Sequence, residues 1–157
     1  MNRVDAIRQI IKKHQSAAIF FSNGLTSREA CHFAPSPNSF YVLHGMGETL
    51  SIGIGFKFGR PDLEVVVVEG DGNALMGLSS TALLPIPGLF YYVLSNMTFE
   101  TTGGQPIPPL PFNVPSMQII KIDEGKTNCP NPDLPDKIIS NFMHWLTKSN
   151  NLKGEKK

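Results

Sequence analysis

Gly70-Asp71-Gly72-Asn73 combines residue types suited to holding an anion through a cation. Glycines at a strand-to-helix junction permit a tight turn and close backbone approach, and the helix that follows offers unpaired N–H groups. Asp71 adds a carboxylate, which would repel a phosphate unless a cation lay between them. The pairing therefore suggests a Mg²⁺–phosphate site, because Mg²⁺ takes a few oxygens from protein and the rest from phosphate and water. Asn96 stands 25 positions after Asp71, at the end of the next expected strand, and can supply a second oxygen. A backbone carbonyl just beyond it can supply a third. Each piece alone has a plainer reading: Gly-Asp-Gly is a common turn, and an asparagine ending a strand is usually a turn residue.

The elements that must position these residues are legible in the periodicity. Val4, Ile7, Ile10 and Ile11 recur at helical spacing, with Arg3, Arg8, Lys12 and Lys13 on other faces. Ala17 to Phe21 reads as a strand, and Thr26 or Ser27 as the cap of a helix through Arg28-Glu29-Ala30-Cys31. Ser39 to Leu43 suits a strand, and 48–58 a glycine-containing helix. Glu64 to Val68 carries four consecutive valines and reads as a central parallel strand. Gly70-Asp71-Gly72 is expected to break it, and Asn73 to Leu84 to form a helix. Leu89 to Leu94 and Met117 to Ile122 are further strands, separated by a long Gly/Pro/Thr-rich loop over 97–116 of the kind that tends to be functional. A last helix from about Pro135 is expected to turn Ile138, Ile139, Phe142, Trp145 and Leu146 inward. Strands alternating with helices indicate one α/β domain: a three-layer sandwich with a mostly parallel central sheet. It is expected over 1–147, with 148–157 a polar, frayed tail. In such sheets ligands bind beyond the carboxyl ends of the strands. Ser22-Asn23-Gly24, His44-Gly45-Met46-Gly47, Gly70 to Asn73 and Ser95 to Thr98 all fall there.

Composition narrows the classes. Fourteen Lys+Arg against 13 Asp+Glu, with 17% charged and 41% hydrophobic residues, argue against disorder and against a nucleic-acid or polybasic membrane binder. So few charges fit a surface that meets a partner. Cys31 and Cys129 are too few for a disulfide scaffold. With no apolar signal core at the start and no run near membrane length, a soluble cytoplasmic domain is expected.

Gly-Asp-Gly followed after two dozen residues by Asn resembles the thiamine-diphosphate motif. His44-Gly45-Met46-Gly47, Gly70 to Gly77, Thr101-Thr102-Gly103-Gly104-Gln105-Pro106 and Asn23 to Glu29 resemble segments of the sulfopyruvate and phosphonopyruvate decarboxylases. The likeness runs from about residue 3 to 147 and implies a thiamine-diphosphate-binding fold. It also implies Asp71 and Asn96 as side-chain Mg²⁺ ligands, with the main-chain carbonyl of Thr98 as the third. Gly70, Gly72 and Asn73 would lie against the diphosphate, with Gly24, Leu25 and Thr26 near its other side. Met46, flanked by Gly45, would support the bent cofactor beneath its thiazolium, and the main chain of His44 would accept a bond from the aminopyrimidine. Met46 and His44 would thus be the residues nearest the chemistry. Met97 stands where the family often has a second asparagine.

A thiamine enzyme also needs a glutamate at the far aminopyrimidine nitrogen, which the family takes from a separate pyrimidine-binding domain. Glu29, Glu48 and Glu100 lie near the expected edge but not in the required strand-to-helix context. The resemblance therefore implies one half of a split enzyme: a hetero-oligomer whose pyrimidine-binding alpha subunit brings the glutamate, decarboxylating a small 2-oxo acid, 3-sulfopyruvate or 3-phosphonopyruvate. Other readings are an acyl-transferring or oxidising thiamine enzyme subunit, or a catalytically silent binding module of the same fold. Arg28, His44, Thr101, Thr102 and Gln105 could meet a sulfonate or phosphonate. Against these stand Arg28 as a surface pair with Glu29, His44 as a hydrogen-bonded residue under its turn, and Met46 as a core plug.

Overall fold

The valine run forms the centre of the molecule. In the computed structural model, which describes residues 1–111 and 114–154, Val65–Gly70 is the middle strand, β3, and its four valines are fully buried. It is preceded by α1 (Arg3–Lys13), β1 (Ala18–Phe21), α2 (Leu25–Phe33), β2 (Ser39–Tyr41) and α3 (Thr49–Gly59). After it come α4 (Asp71–Met76), β4 (Leu89–Ser95), β5 (Met117–Lys121) and α5 (Pro135–Gly154). The strand order is β2-β1-β3-β4-β5 and every pairing is parallel. A strand buried on both faces has no reason to alternate polar and apolar residues, which explains the unbroken valines.

The alternation of Cβ directions divides those valines between two cores. Val65 and Val67 join Phe20, Leu50 and Ile54, with Phe142 and Leu146 of α5, on one face. Val66 and Val68 join Ile7 and Ile10 of α1 and Ala30 of α2 on the other. The result is the expected α/β sandwich of three layers. The chain leaves β1 for β2 in one direction and β3 lies on β1's other side, so connections diverge between β1 and β3. A crevice opens at such a switch point.

Several local expectations are corrected. Thr26 and Ser27 do not cap α2: they lie within it, and Gly24 is the N-cap, with φ +83°. Ser27 instead donates its hydroxyl to the carbonyls of Phe21 and Val42, tying two strand ends together. Gly70 completes β3 rather than breaking it, and the helix begins at Asp71. That helix ends at Met76, and a 3-10 turn over Leu78–Leu83 replaces the second half of the expected helix. The backbone at Gly77 packs so closely on Gly47 that a Cβ there would lie 2.2 Å from the Gly47 carbonyl oxygen. Ile139 is exposed, because the inward stripe of α5 is Ile138, Phe142 and Leu146. α5 continues past residue 147 to Gly154, so the expected frayed tail is helical as far as that residue; positions 155–157 lie outside the described residues. Among the described residues, no helix is long and apolar enough to cross a membrane.

Candidate functional site

The register of β3 on β4 decides which side chains meet at the carboxyl edge. Gly70 pairs with Leu94, which brings Ser95 and Asn96 beside Asp71. Asp71 is buried and accepts three hydrogen bonds. Oδ2 takes the Ser95 hydroxyl and the Met97 N–H, both at 2.9 Å, and Oδ1 takes the Gly72 N–H at 2.9 Å. A carboxylate has about four acceptor positions, so one remains. Asn96 Oδ1 accepts from the Thr98 N–H at 3.1 Å and likewise keeps one.

Beyond Asn96 the chain turns back on itself. Met97 has φ +60°, a conformation costly for a side chain with a Cβ, and both its backbone groups are held: the N–H by Asp71, the carbonyl by the Ile107 N–H at 2.9 Å. Phe99 N–H bonds to the Gln105 carbonyl at 2.8 Å, closing a short antiparallel bridge between Thr98 and Pro106. These bridge bonds use Met97 and Phe99, leaving the Thr98 carbonyl outside the ladder. The Phe99 ring lies over Gly72, where a Cβ would come within 3.1 Å of it. Gly72 is thus required for close approach, not for an unusual φ.

The opposite wall is the start of α2. Gly24 offers no side-chain cap, and the Ser27 and Arg28 N–H groups bond back to Ser22 and Gly24, which leaves those of Leu25 and Thr26 at the open helix end. The Thr26 hydroxyl lies 4.0 Å from where a Gly70 Cβ would stand, so the two walls meet there. Asn23 Oδ1, on the same rim, is buried without a hydrogen-bond partner among the described residues.

Met46 forms the third side. It sits between Gly45 (φ +79°) and Gly47 (φ +82°) and is 48% exposed, which excludes the core-plug reading. Asn73 fixes this turn: its Oδ1 accepts the Gly47 N–H at 3.0 Å, and its Nδ2 reaches the Asn23 carbonyl at 3.5 Å. One asparagine side chain therefore links α4 to both neighbouring turns.

Gly24, Leu25, Thr26, Met46, Gly70, Asp71, Gly72, Asn73, Asn96 and Thr98 line one cavity of about 160 Å³. That is below the roughly 300–1,000 Å³ that encloses a drug-sized ligand, and suits part of one. His44 is exposed and lines a neighbouring groove with Arg28, Asn23 and Gly24; it is not buried under its turn. The structure so brings Arg28 and His44 to one groove, while Thr101 and Thr102 face the main cavity. The residues present suit Mg²⁺ and a diphosphate: two side-chain groups that each keep an acceptor position, an adjacent carbonyl, and the open start of α2. Among the described residues no cluster of three His, Cys, Asp or Glu exists, so a cation here would rely on amide, carbonyl and ligand oxygens beside one carboxylate.

One participant escaped the sequence reading. Arg3, assigned to an outer face of α1, is 8% exposed and lines the cavity with Glu100. Its guanidinium pairs with Glu29 at 3.0 Å and Glu100 at 2.5 Å. Glu29 is therefore not the surface partner of Arg28. No spacing signal could have found this cluster, since its members lie 26 and 97 positions apart.

Glu69, two residues before Asp71, is fully buried. Burial pushes its carboxyl above the ordinary range, opposed by the Tyr91 hydroxyl, which donates at 2.6 Å, and by the Thr49 hydroxyl and the Leu50 and Thr49 backbone at the start of α3. Burial, then the Glu69 carboxylate, raises the Tyr91 phenol in turn.

The family model for the thiamine pyrophosphate enzyme C-terminal TPP binding domain matches residues 22–124. The chain is 36% identical over 108 residues to the beta subunit of sulfopyruvate decarboxylase from Methanothermobacter thermautotrophicus, covering 67% of this chain and 58% of that one. It is 36% identical over 107 residues to phosphonopyruvate decarboxylase from Streptomyces hygroscopicus, covering 66% of this chain and 26% of that enzyme. The sulfopyruvate decarboxylase beta subunit of Methanocaldococcus jannaschii is 33% identical over 107 residues, 66% of this chain and 56% of that one. The matched region thus spans less than two thirds of each of these relatives.

Proposed function

The chain belongs to the family of C-terminal thiamine pyrophosphate-binding domains of thiamine pyrophosphate enzymes, and from that premise we propose that it is the diphosphate-binding part of a Mg²⁺-dependent 2-oxo acid decarboxylase. The substrate class is a pyruvate carrying an acidic group on C3, sulfonate or phosphonate, in keeping with the names of its relatives. One observation carries the reading: Asp71 and Asn96, on adjacent strand ends, each keep an oxygen lone pair across the cavity from the open start of α2.

In this reading Asp71, Asn96 and the Thr98 carbonyl hold Mg²⁺. The Gly72 and Asn73 backbone meets the diphosphate on one side, and Gly24, Leu25 and Thr26 meet it on the other. The Asp71 bonds to Ser95 and Met97 fix the carboxylate before the metal arrives, so little ordering cost remains at binding. Met46, held at the rim by Asn73 through Gly47, supports the cofactor's bend, with the His44 main chain close behind it in sequence. Bound thiamine diphosphate supplies a cationic ring that takes up the electrons released as CO₂ leaves a 2-oxo acid.

A second protein unit completes the site. Among the described residues, the carboxylates lining the cavity are Asp71, assigned to the metal, and Glu100, held by Arg3 and by the Gly125 N–H at 2.5 Å. The glutamate that protonates the aminopyrimidine therefore comes from a pyrimidine-binding partner, an arrangement supported by relatives named as beta subunits. The test is CO₂ release from sulfopyruvate, phosphonopyruvate and pyruvate by the chain assembled with such a partner, with Mg²⁺ and thiamine diphosphate. Turnover is expected from at least one of the acidic substrates, and none from the chain alone or from Asp71→Ala. Vigorous turnover by the isolated chain would refute the need for a partner, and turnover insensitive to Asp71 would refute the metal assignment.

A further inference from the structure

Two carboxylates face the cavity, and a diphosphate entering it meets both. Mg²⁺ would compensate Asp71. Glu100 is different: it stands on the loop after β4, 12% exposed, and is paired within the chain. Its compensation is built into the chain. Arg3 Nη2 lies 2.5 Å from Glu100 Oε2, Arg3 Nη1 lies 3.0 Å from Glu29 Oε1, and Arg3 is itself more than nine-tenths buried. The Thr127 hydroxyl donates to Glu29 at 2.7 Å, and the Gly125 N–H to Glu100 at 2.5 Å, so each carboxylate has a second donor besides Arg3.

The two carboxylates belong to opposite walls. Glu29 is on α2, whose first turn carries Gly24 to Thr26, and Glu100 is two residues beyond Thr98. We propose that Arg3 is a positioning residue for the diphosphate site: it keeps Glu100 bound away from the incoming anion. This rests on the diphosphate reading above and extends it to a residue outside the segment that matches the family, 22–124. Remove the guanidinium, and Glu100 becomes an uncompensated anion beside a polyanionic ligand.

The decisive experiment is calorimetric titration of the full chain with Mg²⁺–thiamine diphosphate, with melting temperature read in parallel. Arg3→Gln, which keeps a hydrogen-bond donor but loses the charge, is expected to weaken binding about tenfold. Adding Glu100→Gln to it is expected to restore most of that loss, because the offending carboxylate is gone; Glu100→Gln alone should bind within about threefold of wild type. A merely structural role predicts a double variant at least as weak as the single one. If Arg3→Gln lowers the folded fraction, the same comparison on a Glu29→Gln background removes the deeper stranded carboxylate. Unchanged binding by Arg3→Gln, or no recovery in the double variant, overturns the proposal while leaving the site reading intact. A wild-type chain that takes up no Mg²⁺–thiamine diphosphate even when assembled with its pyrimidine-binding partner overturns both.

Discussion

Glu69 and Asp71 lie two residues apart at the end of one strand, and both are buried, yet their surroundings differ in kind. Asp71 accepts from a hydroxyl and two backbone N–H groups, all from residues at the sheet's carboxyl edge. Glu69 lies between the sheet and α3, takes one good bond from Tyr91, and leaves Oε1 without a geometrically sound partner among the described residues. The difference teaches how one strand end separates function from packing. Donors gathered at the edge hold a carboxylate ready for a cation, while one position class further in the same group is a desolvated burden.

Matched amide substitutions test that contrast. Asp71→Asn removes the charge, and is expected to weaken Mg²⁺-dependent thiamine diphosphate binding at least about a hundredfold and to lower the melting temperature, because the amide NH₂ must face a donor that the carboxylate accepted. A fall in binding below about threefold would place the cation elsewhere. Glu69→Gln has the opposite outcome: binding is unaffected, and the melting temperature falls less with rising pH than in wild type, because burial disfavours the charged carboxyl while the amide stays neutral beside Tyr91. Thermal denaturation across pH, side by side with wild type, decides it, and an equally steep fall in the variant would show that burial does not disfavour the charge.

The smallest effect concerns a third buried group. His14, at the end of α1, bonds to Tyr92 through Nε2 at 2.8 Å and leaves Nδ1 unpartnered among the described residues. Burial, then the neighbouring Lys13 charge, pulls its pKa below the ordinary imidazole value, with Glu64 opposing. The unfolded chain then binds more protons than the folded one just below pH 6.5, so stability is full above that pH and falls as pH drops through it. Melting temperatures between pH 8 and pH 5 should decline less steeply for His14→Gln than for wild type. Parallel curves would mean that His14 titrates alike in both states.

Legibility followed the range of the interactions. The valine strand, the parallel sheet and the Asp71–Asn96 pairing could be read directly, because each depends on local composition or on neighbouring strands. Helix ends were less legible. The stop at Met76 reflects the Gly47–Gly77 contact across 30 positions, and the cap at Gly24 reflects the strand-end bonds that claim Ser27. Ile139 misled because α5 is apolar beyond the stripe that its layer can cover.

What the sequence determined alone is the chemistry available at the sheet edge: one carboxylate, one carboxamide, glycines where backbones approach, and a methionine between two of them. Only the tertiary structure decided which charges the site must live with. Arg3, Glu29 and Glu100 come from three distant segments, and their pairing depends on α1, α2 and the loop after β4 converging on one edge. A charge shows in the sequence as a residue type, but its energy depends on distance and burial, and those exist only once the chain has folded.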